Sequence, residues 1–261
     1  MRVTTELEKK FWNDKVVWLT GASSGIGKEL AVQLAKAGAR VGLTARRKSE
    51  LEAIATVFPA GQVAILPGDV SERHQMIALG RGLTERWGRV DVLIANAGVM
   101  SDTLVEQFEA RHVERAFAVN FFGAVYAIEA VLPYMQLQRS GQIVGVSSVA
   151  AFRGLPNLAA YGASKAALSH LLESLRIDLA NSGIEVTVVH PGFVHTEMIE
   201  KSSLSPVFAI SVSDAARTIL YGILQQQYEI HFPWRFTLFM KALSLLPINL
   251  YYEVMKRFGS R

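Results

Sequence analysis

Two kinds of hydrophobic patterning alternate along the 261 residues. Short runs rich in Val, Ile and Leu carry almost no polar alternation: "KVVWLT" (15–20), "RVGLTA" (40–45), "QVAILP" (62–67), "RVDVLIA" (89–95), "GQIVGVS" (141–147) and "IEVTVVH" (184–190). A strand that is apolar on both sides belongs in a parallel sheet covered by helices on both faces. "YEIHF" (228–232) is a weaker seventh run. Between the runs, longer stretches predict helices over 25–38, 48–58, 71–87, 105–138 with a break, 157–181 and 213–226. Leu168, Leu171, Leu172, Leu175 and Leu179 fall on one helical stripe. Strand–helix alternation with short connections predicts a doubly wound, Rossmann-type α/β parallel sheet of about seven strands. With no Pro/Gly/Ser linker and no repeat, one domain over 1–261 is the economical reading. It divides into a core (14–200), a substrate loop (193–212) and an apolar, basic extension (232–261).

Composition narrows the classes. Half of the residues are hydrophobic and 19% are charged, which excludes a disordered chain and allows one sizeable core. The net charge of +4 comes with no basic stripe or recognition motif, so no nucleic-acid partner is expected. The chain has no Cys, which removes disulfides and thiolate metal sites and suits a reducing compartment. Six His residues without HExxH-like spacing give no reason to expect a metal. The first fifteen residues lack the apolar core of a signal peptide, and no run of about 20 uninterrupted apolar residues follows. A cytoplasmic protein is expected.

Two short stretches carry candidate chemistry. "TGASSGIGKEL" (20–30) places Gly21, Gly25 and Gly27 where the first strand turns into a helix. Glycine lets a backbone turn tightly and approach a ligand, and a helix N-terminus attracts a pyrophosphate. The spacing is GxxxGxG, not the common GxGxxG. "AAYGASKAALSHLLESL" (159–175) puts Tyr161 and Lys165 one helical turn apart. An ammonium beside a phenol favours the phenolate and would lower the phenol's pKa from about 10. That would make Tyr161 a proton donor near neutral pH.

Together with other segments in order, these stretches resemble the short-chain dehydrogenase/reductase family. "TGASSGIG" is similar to its TGxxxGIG loop, with Gly21, Ser23, Ser24, Gly25, Ile26 and Gly27 as cofactor contacts. "GDV" brings Asp69 and Val70 to the adenine, and "NAG" supplies Asn96, Ala97 and Gly98. Asn120 in "AVNFFG", Ser148 thirteen residues before Tyr161, and "YGASK" complete an Asn–Ser–Tyr–Lys set. "HPGFVHT" matches PGxxxT through Pro191, Gly192, Val194 and Thr196, the threonine meeting the nicotinamide carboxamide. The resemblance covers about residues 14–200.

It implies hydride transfer between a nicotinamide and a carbon bearing oxygen. Tyr161 would donate or accept the proton, and Lys165 would lower its pKa and hold the ribose. Ser148 would hydrogen-bond the reacting oxygen. Asn120 would anchor a water that links Lys165 to solvent. A different class, a cofactor-binding sensor or scaffold without turnover, usually lacks part of this set, and all four residues are present here.

The second strand ends "LTARRKSEL", with Ala45 where an NAD site usually carries an acid. Arg46, Arg47 and Lys48 follow and would welcome a 2′-phosphate, so NADP(H) is expected over NAD(H), although Ser24 stands where many NADP-preferring relatives carry a basic residue. Phe152, Leu155 and Phe193 suit pocket walls around a small carbonyl or alcohol substrate, and suit core packing equally well. The segment after Thr196 mixes charge, Ser, Pro and apolar residues, as a lid would. In 232–261, Pro247 separates two short helical patterns. Thr237, Lys241 and Ser244 make a polar stripe on the first, and Arg235, Lys241, Lys256, Arg257 and Arg261 stand against one acid, Glu253. This extension would close the pocket, pack between subunits or lie in a membrane interface. Ala159, Ala163, Ala166 and Ala167 suit close helix contact, and relatives commonly form homodimers or homotetramers.

Overall fold

The computed structural model describes residues 6–100, 103–200 and 208–259. Seven strands form one parallel sheet: β1 (Val16–Thr20), β2 (Arg40–Ala45), β3 (Val63–Pro67), β4 (Val92–Ala95), β5 (Gly141–Val146), β6 (Ile184–Pro191) and β7 (Glu229–Phe232). Their order is β3-β2-β1-β4-β5-β6-β7, so the winding reverses between β1 and β4. That reversal opens a crevice at the carboxyl ends of the strands.

The doubly apolar strands have the predicted consequence. Every residue of β1 is buried. Val17 and Leu19 face one hydrophobic layer, and Val16 and Trp18 face the other. Helices α1 (Glu6–Trp12), α2 (Gly25–Lys36), α3 (Lys48–Ala55) and α9 (Val212–Leu224) cover the first layer. Helices α4 (Arg73–Trp87), α6 (Gly123–Gln138) and α7 (Ala159–Asp178) cover the second. In α7 the stripe is graded: Leu168, Leu172 and Leu179 are buried, Leu171 and Leu175 half-buried. Strand β4 starts later than the sequence suggests because Asp91 is engaged elsewhere. Its carboxylate accepts the Val16 backbone N–H at 2.8 Å and holds the start of β1.

The region 105–138 departs from expectation. A 3₁₀ turn (Val105–Gln107) precedes α5 (Ala110–Phe117), and the chain then runs through a π-helical turn (Ala118–Phe122) directly into α6. The predicted break falls at 108–109, and the π-helical turn only widens the helix that follows. That turn is centred on Asn120, whose side chain is spent on neighbouring elements. Pro133 lies inside α6. Ala110–Gln138 is also long and apolar enough to cross a membrane by length and composition, although its apolar residues do not form one uninterrupted run. In the fold this helix packs against α4 and β4.

The remaining helices lie on the crevice side: α8 (Glu197–Glu200), α10 (Trp234–Ser244) and α11 (Ile248–Gly259). Pro247 does separate the last two. They form a small core of their own with Val149, Met240, Leu243 and Tyr251. Arg153 ties this unit to the sheet side, donating to the Ser244 carbonyl at 2.8 Å and stacking on the Tyr251 ring.

Candidate active site

The carboxyl ends of the central strands surround a cavity of about 1030 Å³. Ligand pockets run to about 1,000 Å³, so this one is large. Its floor is the loop between β1 and α2. Gly21 has φ +69°, and a β-carbon there would lie 2.7 Å from the Ala97 Cα. One on Gly27 would lie 2.1 Å from the Gly21 carbonyl oxygen. No side chain fits either place, so the loop presents bare main chain and the first turn of α2. Asn96 fixes the loop to the end of β4 by donating to the Thr20 and Gly21 carbonyls at 3.1 and 3.3 Å. A backbone cradle at a helix N-terminus is what a pyrophosphate requires, so these residues fit a dinucleotide. Ser23, Ser24, Gly25, Ile26, Ala97 and Gly98 all line the same cavity.

At the end of β2 the guanidinium of Arg47 folds back on the loop, donating to the Ser23 hydroxyl at 3.1 Å and the Ser23 carbonyl at 3.3 Å. Arg46 lies 4.0 Å from the Asp69 carboxylate and is largely exposed. Partial burial acts to raise the Asp69 pKa. Hydrogen bonds from Ser71 and the charges of Arg46 and Arg115 outweigh it and hold the carboxyl below its ordinary value. Val70 completes this wall.

Ser148 follows β5, and its hydroxyl accepts the Ala150 N–H at 3.1 Å. It also hydrogen-bonds the Tyr161 phenol in the first turns of α7. Lys165, only 3% exposed, donates to the Val146 carbonyl at 2.7 Å and lies 5.9 Å from the centre of the Tyr161 ring. Burial lowers the Lys165 ammonium to about 8. Burial also pushes the Tyr161 phenol up, against the opposing effect of the Ser148 hydrogen bond. The expected lowering of the phenol is thus reversed in this structure. Desolvation dominates, and the ammonium is spent on a carbonyl.

Asn120 is fully buried. Its amide donates to the Val99 carbonyl at 3.0 Å and the Ser164 hydroxyl at 2.9 Å, while its oxygen accepts the Val99 N–H at 2.7 Å. Both side-chain donor hydrogens are therefore committed to protein atoms. Ser164 in turn donates to the Tyr161 carbonyl at 2.7 Å.

Ser147, beside Ser148, has a different task. Its hydroxyl donates to the Lys165 carbonyl at 2.9 Å and meets Ser169 at 2.8 Å. Ser169 meets His190 Nε2 at 3.0 Å, and His190 Nδ1 meets Glu229 at 2.8 Å. Lys241 on α10 donates to the other Glu229 oxygen. The His190 bond, with further help from Lys241 and against partial burial, holds the Glu229 carboxyl at about 2. The polar stripe of α10 therefore faces inward: Lys241 reaches Glu229, and Thr237 is fully buried beside His231 at 2.6 Å.

Leu155 and Phe193 line the cavity at its apolar end. Phe152 is a correction. Its ring packs on His190, with centroids 4.7 Å apart, and borders a separate cavity of about 430 Å³. Wall residues missed by sequence reasoning include Phe236, Phe239, Met240, Leu243 and Met255. Their only signal was the apolar run at the C-terminus. Pro191, Gly192, Val194 and Thr196 border the cavity from the end of β6. Of the proposed lid, 201–207 lie outside the described residues; the flanks are joined by a bridge from Val194 to Ile210.

Comparison with known proteins finds this arrangement in one family. The model of the short chain dehydrogenase family matches residues 15–206. An uncharacterized oxidoreductase of Myxococcus xanthus is 37% identical over 241 residues, covering 92% of this chain and 95% of its own. The 11-beta-hydroxysteroid dehydrogenase-like 3 protein of Arabidopsis thaliana is 38% identical over 236 residues, covering 87% of this chain and 76% of its own. The crystal structure of a short-chain dehydrogenase from Streptomyces avermitilis superposes with a TM-score of 0.81 at 25% identity, covering 95% of this chain and 98% of that one. With a family match across most of its length and a nucleotide-binding sheet of that family's architecture, the chain belongs to the short-chain dehydrogenases and is an oxidoreductase of that type.

Proposed function

We propose that this oxidoreductase transfers a hydride between NADP(H) and the carbonyl or alcohol carbon of an apolar or weakly polar small molecule, with Tyr161 handling the proton. The observation that carries the reading is the hydrogen-bonded Tyr161–Ser148 pair, set between a backbone phosphate cradle and an apolar wall in one cavity. The nicotinamide supplies the hydride in reduction and takes it back in oxidation.

The protein does the rest. In reduction, the former C=O electron pair moves onto the substrate oxygen, which takes a proton from Tyr161 Oη. A phenol pushed up by burial is protonated at neutral pH, the form that reduction needs. Ser148 orients the oxygen and stabilises its growing charge. Lys165 provides a buried positive charge for the ribose hydroxyls and the Tyr161 phenolate left behind. Asn120 acts by position, holding the end of β4 against the turn of α7 that carries Tyr161. The cavity's Phe193, Phe236 and Met240 exclude water from the reacting carbon.

Arg46 and Arg47 support NADP(H) over NAD(H). Both line the cavity beside the acid-free end of β2. Removing a charge-assisted hydrogen bond costs about 1.5–3 kcal/mol, so Arg46→Ala should weaken NADPH binding by roughly tenfold or more. NADH binding should hardly change, and calorimetric titration of both cofactors reads the difference. Tighter binding of NADH by the parent would refute the preference.

The reaction itself is tested by following NADPH absorbance against ketones, aldehydes, quinones and sterols. Tyr161→Phe should lower kcat by about 10²–10⁴ and leave NADPH binding intact. Binding without turnover across the panel would point instead to a sensor. A homodimer or homotetramer is supported by the exposed Ala159 and Ala163 and the half-exposed Ala166 and Ala167 on α7. Light scattering on the pure protein measures it. The cysteine-free composition supports work in the cytoplasm.

A further inference from the structure

We infer that the C-terminal helix pair docks the protein on an anionic lipid surface, with the mouth of the substrate cavity turned towards the bilayer. The inference deepens the reading above, because it names where the apolar substrate is drawn from.

One face of α10 is buried on the fold and the opposite face is bare. Trp234, Leu238, Ala242 and Leu245 recur at helical spacing, and all four are exposed, Trp234 by 61% and Leu245 by 83%. On α11, Ile248, Leu250 and Tyr252 are exposed as well. Among the described residues, this stretch carries more exposed large apolar side chains than any other of its length. Scattered exposed apolar residues need no explanation, but a contiguous face of them does.

Charge says what covers it. Lys241 is spent inward on Glu229. Arg235, Lys256 and Arg257 remain outside against the single acid Glu253, which pairs with Lys256 at 2.8 Å. Apolar residues bordered by basic ones, with Trp and Tyr among them, suit the headgroup boundary of an anionic bilayer. At 11 and 12 residues, neither helix is long enough to span one. A second copy suits the face less well. Self-pairing about a two-fold axis would set this basic face against itself, with Glu253 as its single acid.

Position completes the argument. Phe239 is 57% exposed on this face and also lines the substrate cavity, as does the partly exposed Met198 of α8. The cavity thus reaches the surface among the apolar residues, where a second copy would stopper it. A substrate dissolved in the bilayer would enter without crossing water.

The test is flotation of the full chain with phosphatidylcholine vesicles, with and without phosphatidylserine. The parent should float with the anionic vesicles and lose this in high salt. Leu238→Glu combined with Leu245→Glu, both outside the cavity lining, should stay in the soluble fraction. Arg235→Glu with Arg257→Glu should bind anionic vesicles about tenfold more weakly or worse. Thermal melts of each variant confirm that it is folded. Parent protein that remains soluble beside anionic vesicles overturns the inference. So does a leucine variant that floats like the parent, or one whose main effect is to dissociate an oligomer. Flotation needs no turnover, so a failure of the hydride-transfer reading would leave this result legible.

Discussion

Lys165 shows what burying a charge costs in stability. Its ammonium titrates near 8 in the fold and at 10.5 when free. Between those values the folded protein has shed a proton that the unfolded chain still binds, so stability rises with pH across that window. Below about 8 the fold carries the whole cost of the buried charge. Lys165→Met should therefore remove most of the rise between pH 8 and 10.5, a difference of roughly 3 kcal/mol, while abolishing turnover. Denaturant melts of parent and variant across that range check it; parallel curves would show that the amine is not desolvated. Catalysis should follow the opposite sense. For carbonyl reduction, kcat/KM should hold below pH 8 and fall above it, as Lys165 loses its charge and then Tyr161 its proton. Alcohol oxidation, which needs a proton acceptor, should gain from the deprotonation of Tyr161.

At the scale of elements, a hydrogen-bonded line crosses the molecule from α10 through Glu229, His190, Ser169 and Ser147 to the Lys165 carbonyl of α7. It couples a helix that walls the cavity to the helix that carries Tyr161 and Lys165. Glu229→Gln leaves Lys241 without its counter-charge and should cost about 2 kcal/mol, scaled down because the pair is partly exposed. Glu229 stabilises the fold while it is ionised. That contribution is present above pH 4.5 and is lost as pH falls through about 2. The variant should therefore show a flatter acid limb, and a higher KM for bulky substrates as α10 loosens, readable by acid titration and steady-state kinetics. None of this line was visible in the sequence, where Glu229 and Lys241 are twelve residues apart and Ser169 and His190 twenty-one. The strands and the phosphate loop were visible, because short-range pattern alone specifies them. The π turn was not, because it depends on where the Asn120 amide finds partners, in Val99 and Ser164.

For the whole molecule, the parallel, doubly wound sheet of seven strands was legible in the alternation of apolar strands with helices, whereas the strand order and the crevice it opens came from the structure. Also legible was the meeting of Ser148, Tyr161 and Lys165, which fall together as the motif spacing implied. The direction of the Tyr161 shift was not legible, since it depends on burial that a sequence does not display. Nor was the exclusion of Phe152, whose ring packs at a tilt on His190 and borders the smaller cavity instead.

The substrate cavity has walls of two origins. Its reactive end is made by residues before 200, anchored in the sheet, whereas Phe236, Phe239, Met240, Leu243 and Met255 come from the last two helices. The proposed chemistry and the selectivity would thereby be written in separate stretches of chain. Exchange of residues 234–259 between relatives of this architecture should redirect the preferred ketone while leaving the handling of proton and cofactor alone.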